Sequence, residues 1–410
     1  MVCKKISSGN FIWNTMAGLV NASEAVILLM VVGRTNGLED AGILTIAFAI
    51  GNLMMTIGRY GVRNFQVTDV EEQLPFPAYF THRICTVLFM GMVTGAYLLY
   101  SYICNGYSAY KVWTILLVCL IYMAESLEDV FWGLYQKNGR IDIGAKIFIG
   151  RWGFHLIVTS VGLFFTHQLV NSLFWGFLAG TLLSMIANLR IVSKYYKGSF
   201  FQWNGVRKIF YSCFPLFVVA FLTNYVSNAP KYAIDRYMQE TDQACYGYIA
   251  MPVFVVMLFS SFVYQPILTD LADEWKEKRI QVLQIRVLKI VFIVIGLTVV
   301  CFIGAYLCGI PVLSVLYATD LTPFKKELLI LMVAGGGLGL VTFESTLLTV
   351  IRKQKITMIG YILIALLAKI FFGSMVRMRG LSGAAELYAV LMWMLSLFYG
   401  ACICWQIKKC

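Results

Sequence analysis

Charge is scarce in this sequence. Asp, Glu, Lys and Arg make up 13% of its 410 residues, where a soluble domain carries about 25%. That excludes an ordinary water-soluble fold. Histidine is scarcer still: His82, His155 and His167 are the full set, too scattered to form a spaced metal-ligand motif. The eleven cysteines contain no CxxC pair and fall mostly inside apolar runs, where a thiol behaves as a small hydrophobe rather than a metal ligand or disulfide partner. HExxH, a Ser/His/Asp set and an aspartate-rich metal site are all missing. Long polar stretches are missing too, and the longest outer connection, residues 229–243, is too short for a catalytic domain. These absences point away from an enzyme and imply no cofactor.

What is present is apolar sequence. Hydrophobic residues reach 60% and the mean hydropathy is +0.76. The expectation is an all-α polytopic membrane protein with twelve spans, at roughly 7–32, 41–60, 82–104, 110–134, 143–166, 170–192, 208–228, 245–268, 284–308, 326–350, 356–376 and 384–407. The first span runs past any cleavage site and reads as a retained signal anchor. The net charge of +12 reflects the positive-inside rule, not nucleic-acid binding. Most basic residues, Lys4, Lys5, Lys408 and Lys409 among them, fall on the side that would hold both termini. The N- and C-termini are therefore expected in the cytoplasm. The inner connection 193–207, basic and aromatic, divides an N-terminal lobe (1–192) from a C-terminal lobe (208–410). The halves are weakly self-similar. Thr68-Asp69 follows the second span and Thr269-Asp270 the eighth, the pattern of a parallel repeat.

Polar residues inside the spans carry the functional reading. Asn10, Asn14, Asn21 and Glu24 fall within roughly 80° on a helix. Such a stripe either bonds neighbouring helices or lines a wet cavity, and the carboxylate favours a cavity. Thr45, Asn52, Thr56, Arg59 and Arg63 share one face of the second span, with snorkelling to the interface the simpler account of Arg63. Glu125, Glu128 and Asp129 lie near the inner end of the fourth span, where they are either interfacial or able to pair with Arg59, Arg151 or His155. Arg151, His155 and Thr159 share a face of the fifth, where Arg151 lines a cavity or anchors at the interface. Thr223, Asn224, Ser227 and Asn228 close the seventh span, where Pro230 is expected to break the helix. Gly335-Gly336-Gly337 and Gly339 read as a bend or a close helix contact rather than a phosphate loop. Glu344 is a second buried acid. Lys369, flanked by Ala368 and Ile370, needs a cavity or a partner acid.

Three passages resemble the polysaccharide-flippase branch of the multidrug/oligosaccharidyl-lipid/polysaccharide (MOP) superfamily. They are Gly9 to Asp69, above all Asn10, Gly37-Leu38-Glu39-Asp40-Ala41-Gly42 and Gly58-Arg59-Tyr60-Gly61; the stretch from Asn228-Ala229-Pro230-Lys231-Tyr232 through Asp235-Arg236-Tyr237 and Gly247-Tyr248 to Gln265-Pro266-Ile267 and Leu271-Ala272; and Arg379-Gly380-Leu381-Ser382-Gly383-Ala384-Ala385. Glu386 departs from the pattern, standing where a small or apolar residue is expected. The resemblance implies two six-helix lobes around a V-shaped cavity, working by alternating access in the bacterial cytoplasmic membrane. The implied cargo is an oligosaccharide on a polyprenyl diphosphate, with polymerase or export machinery as partners. Arg59, Arg151 and Lys369 are then the diphosphate candidates, because a guanidinium makes bidentate contacts with phosphate. Asn10, Asn14, Asn21, Asn52, Asn224 and Asn228 are the sugar candidates. Glu24, Glu125, Glu128 and Glu344 are candidates for coupling H+ or Na+. A drug/cation antiporter of the same superfamily and a membrane enzyme of glycan assembly are the competing readings.

Overall fold

The computed structural model describes residues 8–69 and 74–408. Lys4, Lys5 and Lys409, counted above on the cytoplasmic side, lie outside the described residues. The described chain is helical and contains no strand. Its elements are α1 (Ser8–Thr35), α2 (Leu38–Arg59), α3 (Val62–Thr68), α4 (Phe76–Cys104), α5 (Ala109–Lys137), α6 (Ile141–Thr166), α7 (Leu169–Val192), α8 (Val206–Tyr237), α9 (Glu240–Tyr264), α10 (Leu268–Lys276), α11 (Ile280–Gly304), α12 (Ile310–Tyr317), α13 (Lys325–Val350) and α14 (Gln354–Lys408). A short helix follows the second long helix of each half: α3 after α2, α10 after α9.

Ten helices or helix runs among the described residues are long and apolar enough to cross a membrane. Two features separate that number from twelve. α5 has the length of a span, 29 residues, but carries Lys111, Glu125, Glu128 and Asp129. α14 runs for 55 residues, yet Gly380 inside it is non-helical (φ 57°, ψ −137°). Unbroken, it would reach roughly 80 Å at 1.5 Å per residue, against a hydrocarbon core of about 30 Å. Gly380 adopts a conformation essentially closed to other residues, and this explains the glycine that opens the Gly-Leu-Ser-Gly-Ala-Ala passage. Pro230 does not end α8, which continues to Tyr237. A membrane helix tolerates proline where neighbours and local adjustments satisfy the freed carbonyl.

The chain forms two compact units, residues 1–224 and 225–410. In the first, α2 packs against α1, α4 and α5, and every residue from Ala41 to Gly51 is buried. Small residues permit this approach. A Cβ on Gly51 would lie 2.6 Å from the Tyr122 ring on α5, and one on Gly58 2.8 Å from Met90 Sδ on α4. In the second unit α13 is central, packed by α9, α11 and α14. Its glycines are the contacts. A Cβ on Gly336 would lie 2.5 Å from Thr298 Cγ2 on α11, and one on Gly339 2.6 Å from Ser260 Oγ on α9. Close helix packing, not a bend, is their role. Between α11 and α12, a π turn over Ala305–Gly309 precedes Pro311, which cannot donate to the preceding turn.

Candidate functional site

The charged side chains of the first unit converge on α5. Glu125, Glu128 and Asp129 lie at i, i+3 and i+4, one face of the helix, and that face is buried. Four neighbouring helices each bring it an arginine. From α2, Arg59 Nη2 donates to Glu125 Oε1 at 2.5 Å. From α6, Arg151 donates through Nη2 to Glu125 Oε2 at 2.6 Å and through Nε to Glu128 Oε2 at 2.9 Å. From α4, Arg83 donates to Asp129 Oδ2 at 2.7 Å. From α3, Arg63 donates to Gln136 Oε1 at 2.9 Å, lies 3.5 Å from Asp129 Oδ1 and stacks over the Trp132 ring at 4.3 Å. Glu125 thus joins two arginines through its two oxygens, one on each side.

A buried ion pair survives only when its partners and hydrogen bonds are complete. Charge-assisted hydrogen bonds to guanidinium are the strong kind, and here four guanidiniums meet Glu125, Glu128 and Asp129. Their exposures divide them. The side chains of Arg83 and Arg151 are sealed, at 0% and 2% exposed, whereas Arg59 keeps 38% and Arg63 25%. Arg151 also lies over the Trp152 and Phe148 rings, a desolvated setting in which cation–π attraction adds to the pairing. His155, one turn on, does not join the network: it is buried against Trp152 with neither ring nitrogen hydrogen-bonded.

Glu24 extends the cluster to α1. It is buried, and Oε1 accepts from the Tyr122 hydroxyl at 3.2 Å, while Oε2 has no partner. Asn52 reaches the same hydroxyl at 3.5 Å and donates to the Phe48 carbonyl at 2.9 Å. The asparagines of α1 do not converge with Glu24. Asn14 and Asn21 are exposed, and Asn10 donates to the Gly139 carbonyl in the α5–α6 turn at 2.9 Å. The cause is that α1 is buried mainly along its C-terminal half, through Leu28, Leu29 and Val32, so the rest of its polar stripe has little packed over it. Asn224 and Asn228 lie one turn apart on α8, half-buried and buried respectively.

In the second unit Glu344 is buried on α13. Its Oε1 accepts from Ser396 at 3.2 Å and its Oε2 has no partner. Lys369 is exposed on α14, and no acid pairs with it among the described residues. Its face of the helix, shared with Leu366 and Ile370, is also exposed. Glu386 pairs with Arg379 and with Lys326.

Arg83 is the member of the network that the helix faces read from sequence do not include. The fourth-helix boundary is the reason. α4 begins at Phe76, not near residue 82, so Arg83 sits in its third turn rather than at its start. The signal was Pro75-Phe76-Pro77, since proline favours the first helical positions.

No protein-family profile matches the chain. The capsular polysaccharide biosynthesis protein CapF of Staphylococcus aureus is 23% identical over 335 residues, 80% of this chain and 81% of the relative. Among solved structures, a multidrug resistance MATE family transporter of the MOP superfamily in an inward-facing conformation superposes with a TM-score of 0.72 at 12% identity, covering 96% of both chains. The lipid II flippase MurJ, in an inward closed conformation, also gives 0.72, at 14% identity, over 95% of this chain and 87% of its own. The chain has the fold of MATE and MOP transporters and flippases.

Proposed function

We propose that the protein flips a polyprenyl-diphosphate-linked oligosaccharide from the inner to the outer leaflet of a bacterial cytoplasmic membrane, by alternating access, for capsule or related polysaccharide synthesis. In this reading α5 and the two arms of α14 each cross the bilayer, for twelve spans, with both termini cytoplasmic. The fold likeness favours a drug transporter and a lipid flippase equally. The capsular relative, matched over four fifths of both chains, carries the choice.

The network suggests different tasks for the predicted cations. Arg59 has exposed surface left for a phosphate oxygen. Arg151 is sealed behind two carboxylates and positions Glu125, which in turn holds Arg59. Glu24 and Glu344 are the proposed coupling acids for H+ or Na+, because each keeps one carboxylate oxygen without a protein donor and has no arginine partner, whereas Glu125 and Glu128 are both held by Arg151. The experiment is complementation of a deletion strain. Wild type restores surface polysaccharide and Arg59→Glu does not, at equal membrane abundance. Normal polysaccharide in the deletion strain, with altered drug sensitivity instead, makes the protein an antiporter.

A further inference from the structure

The first unit holds a second feature that the ion network does not use. A cavity of about 630 Å3 opens where the inner connection enters α8, walled by Tyr60, Trp203, Phe210, Tyr211, Phe214 and Arg207. Its volume lies in the range of ligand sites, roughly 300–1,000 Å3. Gly205, at φ +93°, sets the turn into α8, and a Cβ there would lie 2.5 Å from Leu74. That turn puts Trp203 and Arg207 on the same rim. Tyr60 forms the inner wall, stacked on Phe217 with ring centroids 4.7 Å apart.

We propose that this groove binds an anionic glycerophospholipid of the inner leaflet, its acyl chain along the aromatic wall and its phosphate on Arg207. Three observations select that occupant. The wall is aromatic and apolar except for one cation. Arg207 is exposed, lies over the Tyr211 ring at 5.6 Å, and pairs with no carboxylate among the described residues. In this it differs from Arg59, Arg63, Arg83 and Arg151, each matched to an acid. Trp203 and Tyr211 are 72% and 69% exposed, and amphipathic rings of this kind settle at headgroup level. Lys194 and Lys197 lie on the same connection but outside the groove lining.

The test uses the purified full-length chain, delipidated and titrated with phosphatidylglycerol or phosphatidylcholine of matched acyl chains. Bound lipid is counted by native mass spectrometry. Wild type is expected to retain phosphatidylglycerol over phosphatidylcholine. Arg207→Gln is expected to cut that preference about fivefold, the effect of one basic contact at a membrane surface. Phe214→Ser weakens both lipids. Lys194→Gln, a linker cation outside the groove, leaves the preference in place. Because Arg207 is exposed and pairs with no acid, its substitution keeps the elution profile and melting curve, so this arm stands even if Phe214→Ser misfolds. The proposal is overturned if the preference survives Arg207→Gln, or if Lys194→Gln removes it equally. It is also overturned if a polyprenyl phosphate displaces phosphatidylglycerol from the wild type at equimolar concentration, which would make the groove a carrier site.

Discussion

Arg83 donates a hydrogen bond of 2.7 Å to the carbonyl of Gly58, tying the third turn of α4 to the last turn of α2. Thr86 donates to the same oxygen at 2.8 Å. The helix stops just beyond, with Tyr60 and Gly61 both left-handed (φ 50° and 70°). Arg83 therefore fastens the end of α2 and neutralises Asp129 at once, fully buried. Replacing it by Met removes a donor from both partners and leaves Asp129 facing Arg63 alone at 3.5 Å. We expect a loss of about 3–5 kcal/mol, read as a lower melting temperature in detergent. Arg83→Met with Asp129→Asn recovers part of it. If the single substitution melts like wild type, Arg83 is not a structural tie.

The two arginines on Glu125 predict opposite phenotypes. Arg151→Gln strands Glu128 in a sealed site, leaves Glu125 with Arg59 alone, and lowers stability by about 3–5 kcal/mol. The added Glu128→Gln softens the loss. Arg59→Gln leaves Glu125 paired with Arg151 and costs far less, on the order of 1 kcal/mol for a partly exposed partner, yet abolishes polysaccharide export. Melting curves beside export assays separate the pair. Equal stability losses would contradict the exposure difference between them.

Gly336 faces Thr298 across the α11–α13 contact. A methyl group there meets Thr298 Cγ2 at 2.5 Å, so Gly336→Ala is expected to cost about 1–3 kcal/mol by overpacking. Thr298→Ala removes the obstructing atoms, and the double variant should melt above Gly336→Ala alone. Additive losses would show that the contact is not the cause.

Gly380→Ala forces a side chain onto φ 57°, ψ −137° and is expected to destabilise by about 1–3 kcal/mol. Gly296 is the control. It is helical, and a Cβ added to it would meet nothing within 4 Å, so Gly296→Ala should be neutral or slightly stabilising. A proteolysis or melting comparison of the two checks the break.

Orientation is open to labelling. Cys104, at the end of α4, and Cys404, near the end of α14, are both exposed. With cytoplasmic termini, an impermeant maleimide applied to intact spheroplasts labels a Cys104-only variant, and reaches a Cys404-only variant only after permeabilisation. The reverse pattern inverts the proposed topology.

Helix existence was legible because apolar runs of span length have few alternatives in a chain this poor in charge. Helix ends were less so. Pro75 and Pro77 start α4 early, and Pro230 fails to stop α8, because proline restricts only the turn before it and a packed neighbour can satisfy what it frees. The acids of α5 and the arginines of α2 and α6 were each visible as faces. Their pairing was legible only as a choice among Arg59, Arg151 and His155; the structure gives Glu125 and Glu128 to the two arginines and not to His155, since a face says which way a side chain points and not what it meets.

The sequence by itself determined that this chain lives in a membrane as helices, and that its few charges sit on shared helix faces; composition and a 3.6-residue period are local properties, and both survive without knowledge of the fold. Tertiary structure alone decided that Glu125 bridges Arg59 and Arg151, that Arg83 is sealed while Arg59 is not, and that Asn14 and Asn21 stay exposed while Glu24, on the same stripe, is buried. Those outcomes depend on which helices approach and how closely. Glycines such as Gly51 and Gly58 set that distance, through contacts between residues far apart in the chain.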